Sequence, residues 1–401
     1  MSRRPVWLLL GALAVTAAAV LLIVGAGRSP GPGASRSTTS QTSASSSSTT
    51  TPTAQPPPAR PAPRAEQFGI NVNRLFDDGT FTQAQIDAQL RALEDTGATV
   101  ARSDALWEAS EPSPPVAGVH TYSWAFDDRI AASLAVHGLT WLPVIDYTAP
   151  WALSVPGQDH SPPASASDYA AYAGAFAARY GRAGSFWRAH PELTPRPVGT
   201  YEIWNEPDNA EFWVPSPDAG RYADLYLTAR TAILAADSAA RVIVGGLTQP
   251  TSFLSAMLAA RPALRGHVDG VAVHPYGNPL VVLGKLRGDR AGLDALGFAS
   301  VPLYVTEFGW TTSPPGALNY ARATVRPGYI ATTLDALGHL DCAVATAVLY
   351  TWVTPEQNPA NLEDWYGLRG PDGAPTAASA AFANGIHDAQ SRGRTLSLCS
   401  R

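Results

Sequence analysis

From Phe68 onward the sequence alternates short apolar runs with helical segments, and it does so eight times. The strand-like runs fall near Phe68 to Val72, Thr99 to Asp104, Thr140 to Asp146, Thr200 to Asn205, Arg241 to Gly245, Val271 to His274, Leu303 to Thr306 and Ala343 to Tyr350. Helical segments near Thr82 to Gly97, Phe126 to Gly138, Ser167 to Tyr180, Pro217 to Asp237, Thr251 to Ala260, Pro279 to Leu296, Thr324 to Leu340 and Thr376 to Asp388 fill the gaps. Such alternation is the pattern of a parallel sheet with crossover helices. Eight repeats predict an α/β fold, a (β/α)8 TIM barrel forming one domain over residues 67–401.

A barrel of this kind keeps its chemistry at the C-terminal ends of its strands, so the residue that closes each strand bears on function. The fourth run, Tyr201-Glu202-Ile203-Trp204-Asn205-Glu206-Pro207-Asp208, stops at a proline. Pro207 lacks an N–H and biases Glu206 away from helical dihedrals, so the strand must end near Glu206 and present that carboxylate at the rim. About a hundred residues later, Val301-Pro302-Leu303-Tyr304-Val305-Thr306-Glu307-Phe308-Gly309-Trp310 repeats the design and closes on Glu307. Retaining glycoside hydrolysis needs two carboxyl groups roughly 5 to 5.5 Å apart, one as acid and then base, the other as nucleophile. Taken singly, either glutamate could equally be a helix N-cap or a salt-bridge partner at the rim. The pair favours the chemical reading.

Glu202-Ile203-Trp204-Asn205-Glu206-Pro207 resembles the acid/base signature of the large clan of retaining (β/α)8 glycosidases, in the form used by glycoside hydrolase family 39 and its near relatives. Thr306-Glu307-Phe308-Gly309 resembles the nucleophile strand of that clan, and Val273-His274-Pro275-Tyr276-Gly277 its sixth strand. The likeness spans roughly residues 68 to 390. It implies Glu206 as acid/base, Glu307 as nucleophile and Asn205 as the amide that bonds the sugar 2-hydroxyl, a contact that strengthens in the transition state. It also implies that Tyr276 hydrogen-bonds the nucleophile, that His274 lies near the acid/base, and that Arg102 holds the nucleophile ionised. A core histidine, a packing tyrosine and an Arg102–Asp104 pair are the structural alternatives. After the eighth helix only a short tail remains, which leaves no room for the accessory β-sandwich that many family 39 relatives carry.

Asp146, ending the third strand, and Asn73, just past the first, face the same rim and are further candidates for substrate contact. Trp107, Trp151, Trp213, Trp310, Trp352 and Trp365 fall in the long segments that follow strands, so the sequence predicts a ring of indoles around one mouth. Sugar rings stack their C–H faces on aromatic rings, and Trp352 is the foremost candidate to do so. Each indole could instead clamp its loop onto the barrel.

The net charge of −5, with only 15% charged residues and no Lys/Arg cluster, argues against a nucleic-acid partner. The eight histidines show no ligand spacing, so no metal is expected, and no Gly-rich phosphate loop points to a cofactor. Gly245-Gly246-Leu247 reads as a strand end. Residues 1–27, with Arg3 and Arg4 before an apolar run, read as a signal peptide or a membrane anchor. The run approaches the length of about 20 residues that spans a bilayer, and the arginines favour everything downstream lying outside. Residues 28–66, rich in Ser, Thr and Pro, read as a disordered linker. The expectation is a secreted or membrane-tethered extracellular monomer that meets the membrane only through its N-terminal segment. In an oxidising compartment Cys342 and Cys399 can form one disulfide across the non-catalytic face, or remain two buried thiols. The function expected is that of a retaining β-glycosidase acting on an oligo- or polysaccharide or a glycoconjugate. The rivals are a catalytically silent carbohydrate-binding barrel and a transglycosylase using the same residues.

Overall fold

The computed structural model describes residues 67–77, 79–391 and 395–400. The expected signal or anchor (1–27) and linker (28–66) lie outside the described residues. Eight parallel strands close a barrel: β1 (Gln67–Asn71), β2 (Val100–Leu106), β3 (Thr140–Asp146), β4 (Thr200–Ile203), β5 (Arg241–Leu247), β6 (Val271–Val273), β7 (Leu303–Val305) and β8 (Val344–Leu349). Each pairs with its sequence neighbour, and β1 pairs with β8, so no edge is left open. The eight principal helices are α1 (Gln83–Glu94), α2 (Ala125–Val136), α3 (Ala166–Tyr180), α4 (Ala219–Ala236), α5 (Pro250–Ala260), α6 (Pro279–Ala295), α7 (Arg326–His339) and α8 (Ala377–Ala389). Local sequence explains their starts: Thr82 and Gln85 form a capping box for α1, Asp218 caps α4, and prolines sit in the first turns of α5 and α6. The small residues of α3 allow a close approach to α4, where Gly174 lies against Ala232.

The two-residue period of the strands builds the site from the inside out. Val100, Leu142 and Val348 fill the lumen as one cluster, and Ile243, Ala272 and Tyr304 as another. Two residues further along these strands, on the same interior face, stand Arg102, Val144, His274, Thr306 and Tyr350. An apolar plug thus gives way to a polar layer at the C-terminal rim.

Five strands stop one or two residues short of the expected C-terminal bounds: β1 ends at Asn71, β4 at Ile203, β6 at Val273, β7 at Val305 and β8 at Leu349. After β4 the chain leaves the extended region where the site begins, and Trp204 and Glu206 have φ of 65° and 44°. β5 runs on to Leu247, so Gly245 and Gly246 lie within it. The long connections also carry short helices, Asn73–Phe76, Trp107–Ser110 and Ser185–Ala189, and 3-10 turns at Pro262–Leu264 and Leu362–Trp365.

At the opposite end, Cys342 and Cys399 are disulfide-bonded, with Cα atoms 5.1 Å apart across 57 residues of sequence. The Asp341 carboxylate accepts the backbone N–H groups of Leu398, Cys399 and Ser400 at 2.7 to 2.9 Å, which fastens the tail after α8 beneath β8. Among the described residues, no helix is long and apolar enough to cross a membrane.

Candidate active site

Glu307 stands two residues past β7, held at both oxygens. Arg102 of β2 donates Nη1–H to its Oε1 at 2.6 Å, and the Tyr276 hydroxyl donates to its Oε2 at 2.7 Å. Burial works against its charge, but His274, Arg102 and the two hydrogen bonds outweigh burial and hold the carboxyl below its ordinary range. Burial, reinforced by the Glu307 charge, keeps the Tyr276 phenol protonated. Glu206 faces Glu307 across the rim. Its Oε1 lies 2.7 Å from Nδ1 of His274, and its Oε2 accepts the Asn209 amide at 2.7 Å. One oxygen of each glutamate and a ring nitrogen of His274 lie within 4.8 Å of one another. Burial lowers the His274 imidazole, but Glu307 and Glu206 together outweigh it and the ring ends above its usual value.

The structure therefore brings Arg102, Asn205, Glu206, His274, Tyr276 and Glu307 into one hydrogen-bonded cluster. Asn205 accepts Arg102 Nη2–H at 3.0 Å, which turns the amide nitrogen away from the guanidinium. Asp104 is not hydrogen-bonded to Arg102. It is engaged by Asn73, which donates Nδ2–H to it at 2.9 Å and accepts its backbone N–H at 2.9 Å. Both ends of the Asn73 amide are committed there, so it holds Asp104 rather than reaching toward the glutamates. Burial pushes Asp104 up to about 6, against the pull of Arg102.

Two expectations need correction. Asp146 faces inward at the end of β3, but it has no exposed surface, and its two oxygens have no hydrogen-bond partner among the described residues, so it does not present a group to a sugar. Burial, with Asp104 close by, pushes its carboxyl well above the usual range. Trp352 is fully buried too: its indole N–H donates to Gln89 of α1 at 3.2 Å, and its ring lies against Phe382 of α8. The chain after β8 turns outward between α1 and α8, and the ring follows it.

The ring of indoles is corrected with it. Trp107, Trp213 and Trp310 are buried, and Trp151, Trp310 and Trp365 each donate to a loop carbonyl, those of Glu111, Gly277 and Asn358. These are loop clamps. Tyrosines take their place at the site: Tyr276 and Tyr350 both pack edge-on against Tyr366. Tyr350 also donates to Glu363 at 2.9 Å. Burial and the charges of Glu307, Glu211 and Glu206 push Glu363 up to about 7, making it a third carboxyl beside the pair.

The sequence reading also passed over Glu202. This fully buried carboxylate accepts Arg102 Nε–H at 2.9 Å and Nη2–H at 3.1 Å, the Gly246 N–H at 2.9 Å and the Thr306 hydroxyl at 3.1 Å. The signal was present: a charged residue in the middle of an apolar strand must find a partner. Gly246 is required because a Cβ there would lie 2.0 Å from Nε2 of His274.

Among the described residues, two groups of side chains converge with metal-ligand character. Asp341, Cys342 and Cys399 form one, but both sulfurs are spent in the disulfide. Glu206, His274 and Glu307 form the other, and the Arg102 guanidinium, 2.6 Å from Glu307, sets a fixed positive charge against any cation there.

No protein-family model matches the chain, and no curated protein matches it. Solved structures do. A family 39 glycoside hydrolase from the gut symbiont Bacteroides cellulosilyticus WH2 superposes with TM-score 0.57 at 19% identity, covering 81% of this chain and 64% of that one. The GH39 enzyme from Xanthomonas axonopodis pv. citri gives 0.60 at 18%, covering 80% and 65%. A monomeric β-xylosidase from Caulobacter crescentus CB15 gives 0.60 at 20%, covering 80% and 69%. This chain spans just under two thirds of the length of the first two. The likeness shows the fold: the chain has the (β/α)8 architecture of these glycosidases.

Proposed function

We propose that the chain is an exported retaining β-glycoside hydrolase acting on a polysaccharide or glycoconjugate outside the cell, with Glu206 as acid/base and Glu307 as nucleophile. The observation that carries this reading is the unequal setting of two close carboxyls. Glu307 is held in its charged form by Arg102 and Tyr276, and an oxygen of Glu206 lies within 4.8 Å of it. That spacing supports retention, for which the carboxyl groups stand roughly 5 to 5.5 Å apart, over inversion, which needs roughly 6.5 to 9.5 Å.

In the first displacement Glu307 attacks the anomeric carbon while Glu206 gives its proton to the departing oxygen. In the second, Glu206 takes a proton from water, and the water oxygen displaces Glu307 with net retention. Asn205 accepts Arg102 Nη2–H at its amide oxygen, which supports its nitrogen as the donor to the 2-hydroxyl. The names of the structural neighbours support a glycosidase, and the sequence of residues 1–27 supports export.

A 2-deoxy-2-fluoro β-glycoside with a good leaving group tests the proposal. Intact-mass analysis is expected to show one added fluorosugar, and peptide mapping to place it on Glu307. A wild-type protein that binds β-glycans but neither turns over aryl β-glycosides nor takes the label would instead be the silent binding barrel. Transfer to an added sugar acceptor in place of water would identify a transglycosylase.

A further inference from the structure

The hydrogen-bonding capacity around His274 can be counted. Nδ1 lies 2.7 Å from Oε1 of Glu206, Nε2 lies 3.1 Å from Oγ1 of Thr306, and that hydroxyl lies 3.1 Å from Oε1 of Glu202. A hydroxyl has one proton to donate, and the Glu202 carboxylate, paired with Arg102, offers only acceptors. A bond to a carboxylate is roughly twice as strong as one between neutral groups, so the Thr306 proton goes to Glu202. The Thr306 oxygen is then left to accept, and the ring nitrogen facing it must be N–H. Gly246, with no room for a Cβ beside Nε2, keeps the ring seated against this hydroxyl.

We propose that Thr306, oriented by Glu202, is a positioning residue that fixes His274 with Nε2 protonated, so that the line between Nδ1 and Glu206 Oε1 must hold the acid/base proton. The inference rests on the role proposed above for Glu206. While that proton is present, either atom can carry it and the contact is a hydrogen bond. When it joins the leaving oxygen, which takes the electron pair of the broken C–O bond, the Nδ1 lone pair faces a bare carboxylate. The contact is relieved when Glu206 takes a proton from the attacking water. The lock therefore retains the proton before glycosylation and draws it back during hydrolysis.

Other titratable groups surround the pair: Glu307, with Oε2 3.6 Å from Nδ1; Arg102 from β2; Tyr276 beyond β6; Tyr147 beyond β3; Asp208 in the Glu206 loop; and Glu363 and Tyr366 beyond β8. Thr306→Val removes one hydroxyl and leaves all of these in place. The test compares pH profiles of kcat/KM for wild type, Thr306→Val and Thr306→Ser on an alkyl β-glycoside, whose leaving group needs the proton. Thr306→Val is expected to move the basic limb down by about one pH unit, the size of one hydrogen bond's preference between protonation states, and Thr306→Ser to return it. Coincident wild-type and Thr306→Val limbs would overturn the lock and leave the glycosidase reading standing. Nitrogen-15 NMR of histidine-labelled wild-type protein needs neither turnover nor a folded variant. It is expected to show His274 Nε2 protonated across the neutral range, and a bare Nε2 would overturn the proposal.

Discussion

Arg102→Lys keeps a positive charge at the centre of the site and removes the planar fork. The guanidinium makes four hydrogen bonds: two to Glu202 at 2.9 and 3.1 Å, one to Glu307 at 2.6 Å and one to Asn205 at 3.0 Å. A lysine ammonium places all its donors on one nitrogen and cannot span Glu202 and Glu307 together. About two charge-assisted bonds should be lost, each contributing about 1.5 to 3 kcal/mol, so the variant is expected to lose about 3 to 6 kcal/mol of stability. Urea denaturation should show this as a lower midpoint at unchanged slope. The kinetic effect has a definite sign. Glu307 is held below its ordinary value in the folded protein, so its contribution to stability is present above the usual carboxylate range and is lost as pH falls through the folded value. With the fork gone that value rises, and the acidic limb of kcat/KM should move up by about one pH unit. A variant with wild-type urea midpoint and an unmoved acidic limb would refute the claim that the fork holds Glu307 ionised.

The two glutamates should separate by their rescue chemistry. Glu307→Ala should lower turnover of every β-glycoside by about 10⁴-fold, with azide rescuing some rate and giving the inverted glycosyl azide. Glu206→Ala should spare aryl glycosides whose leaving group needs no proton, with azide giving the retained product; product NMR distinguishes the two, and swapped stereochemistry would reverse the assignment. Cys342→Ser should cost up to about 4 kcal/mol in urea denaturation, the chain-entropy value for a loop of this size, while leaving the kinetics of the folded enzyme nearly unchanged because the disulfide lies at the far end of the barrel. Gly246→Ala should depress kcat far more than stability, because its Cβ would displace the His274 ring, and equal kcat in the two proteins would count against a fixed ring.

Some parts of the site were legible in the sequence because they obey a period. Arg102 and His274 continue the interior faces of Val100 and Ala272, so alternation alone aims them into the barrel; Thr306 continues that of Tyr304, but nothing in the sequence assigned it a role beyond its place in the Glu307 run. Alternation also aims Asp146 inward, but it says nothing of depth, and the carboxyl is buried rather than offered to a ligand. The indole ring failed for a related reason. A tryptophan in a loop after a strand is on the correct side of the barrel, yet nothing in its position tells whether its ring turns to the mouth or back under the loop. Trp352 turned back and left Tyr350 at the rim.

The two glutamates obey no period at all. Both stand beyond their strand ends, at Ile203 and Val305, and Glu206 reaches the rim through a left-handed backbone at φ 44°, where the restriction that Pro207 imposes would alone place it in the extended region. A non-glycine residue in that region carries strain of order 1 kcal/mol or more and persists only where its surroundings fix it. Here they do. Asn209 accepts the Glu211 N–H at 3.1 Å while donating to Glu206, and Asp208 accepts the backbone N–H groups of Thr248 and Gln249, tying this turn to the start of α5. The motif recognised in the sequence, Glu202 to Pro207, stops just before the two residues that make these bonds, Asp208 and Asn209. Replacing Asp208 with Ala should therefore reach Glu206 without touching it, lowering kcat on poor leaving groups with little change on activated ones. A loss confined to poor leaving groups would show that the turn positions the acid, whereas equal losses on both substrate classes would sink the idea.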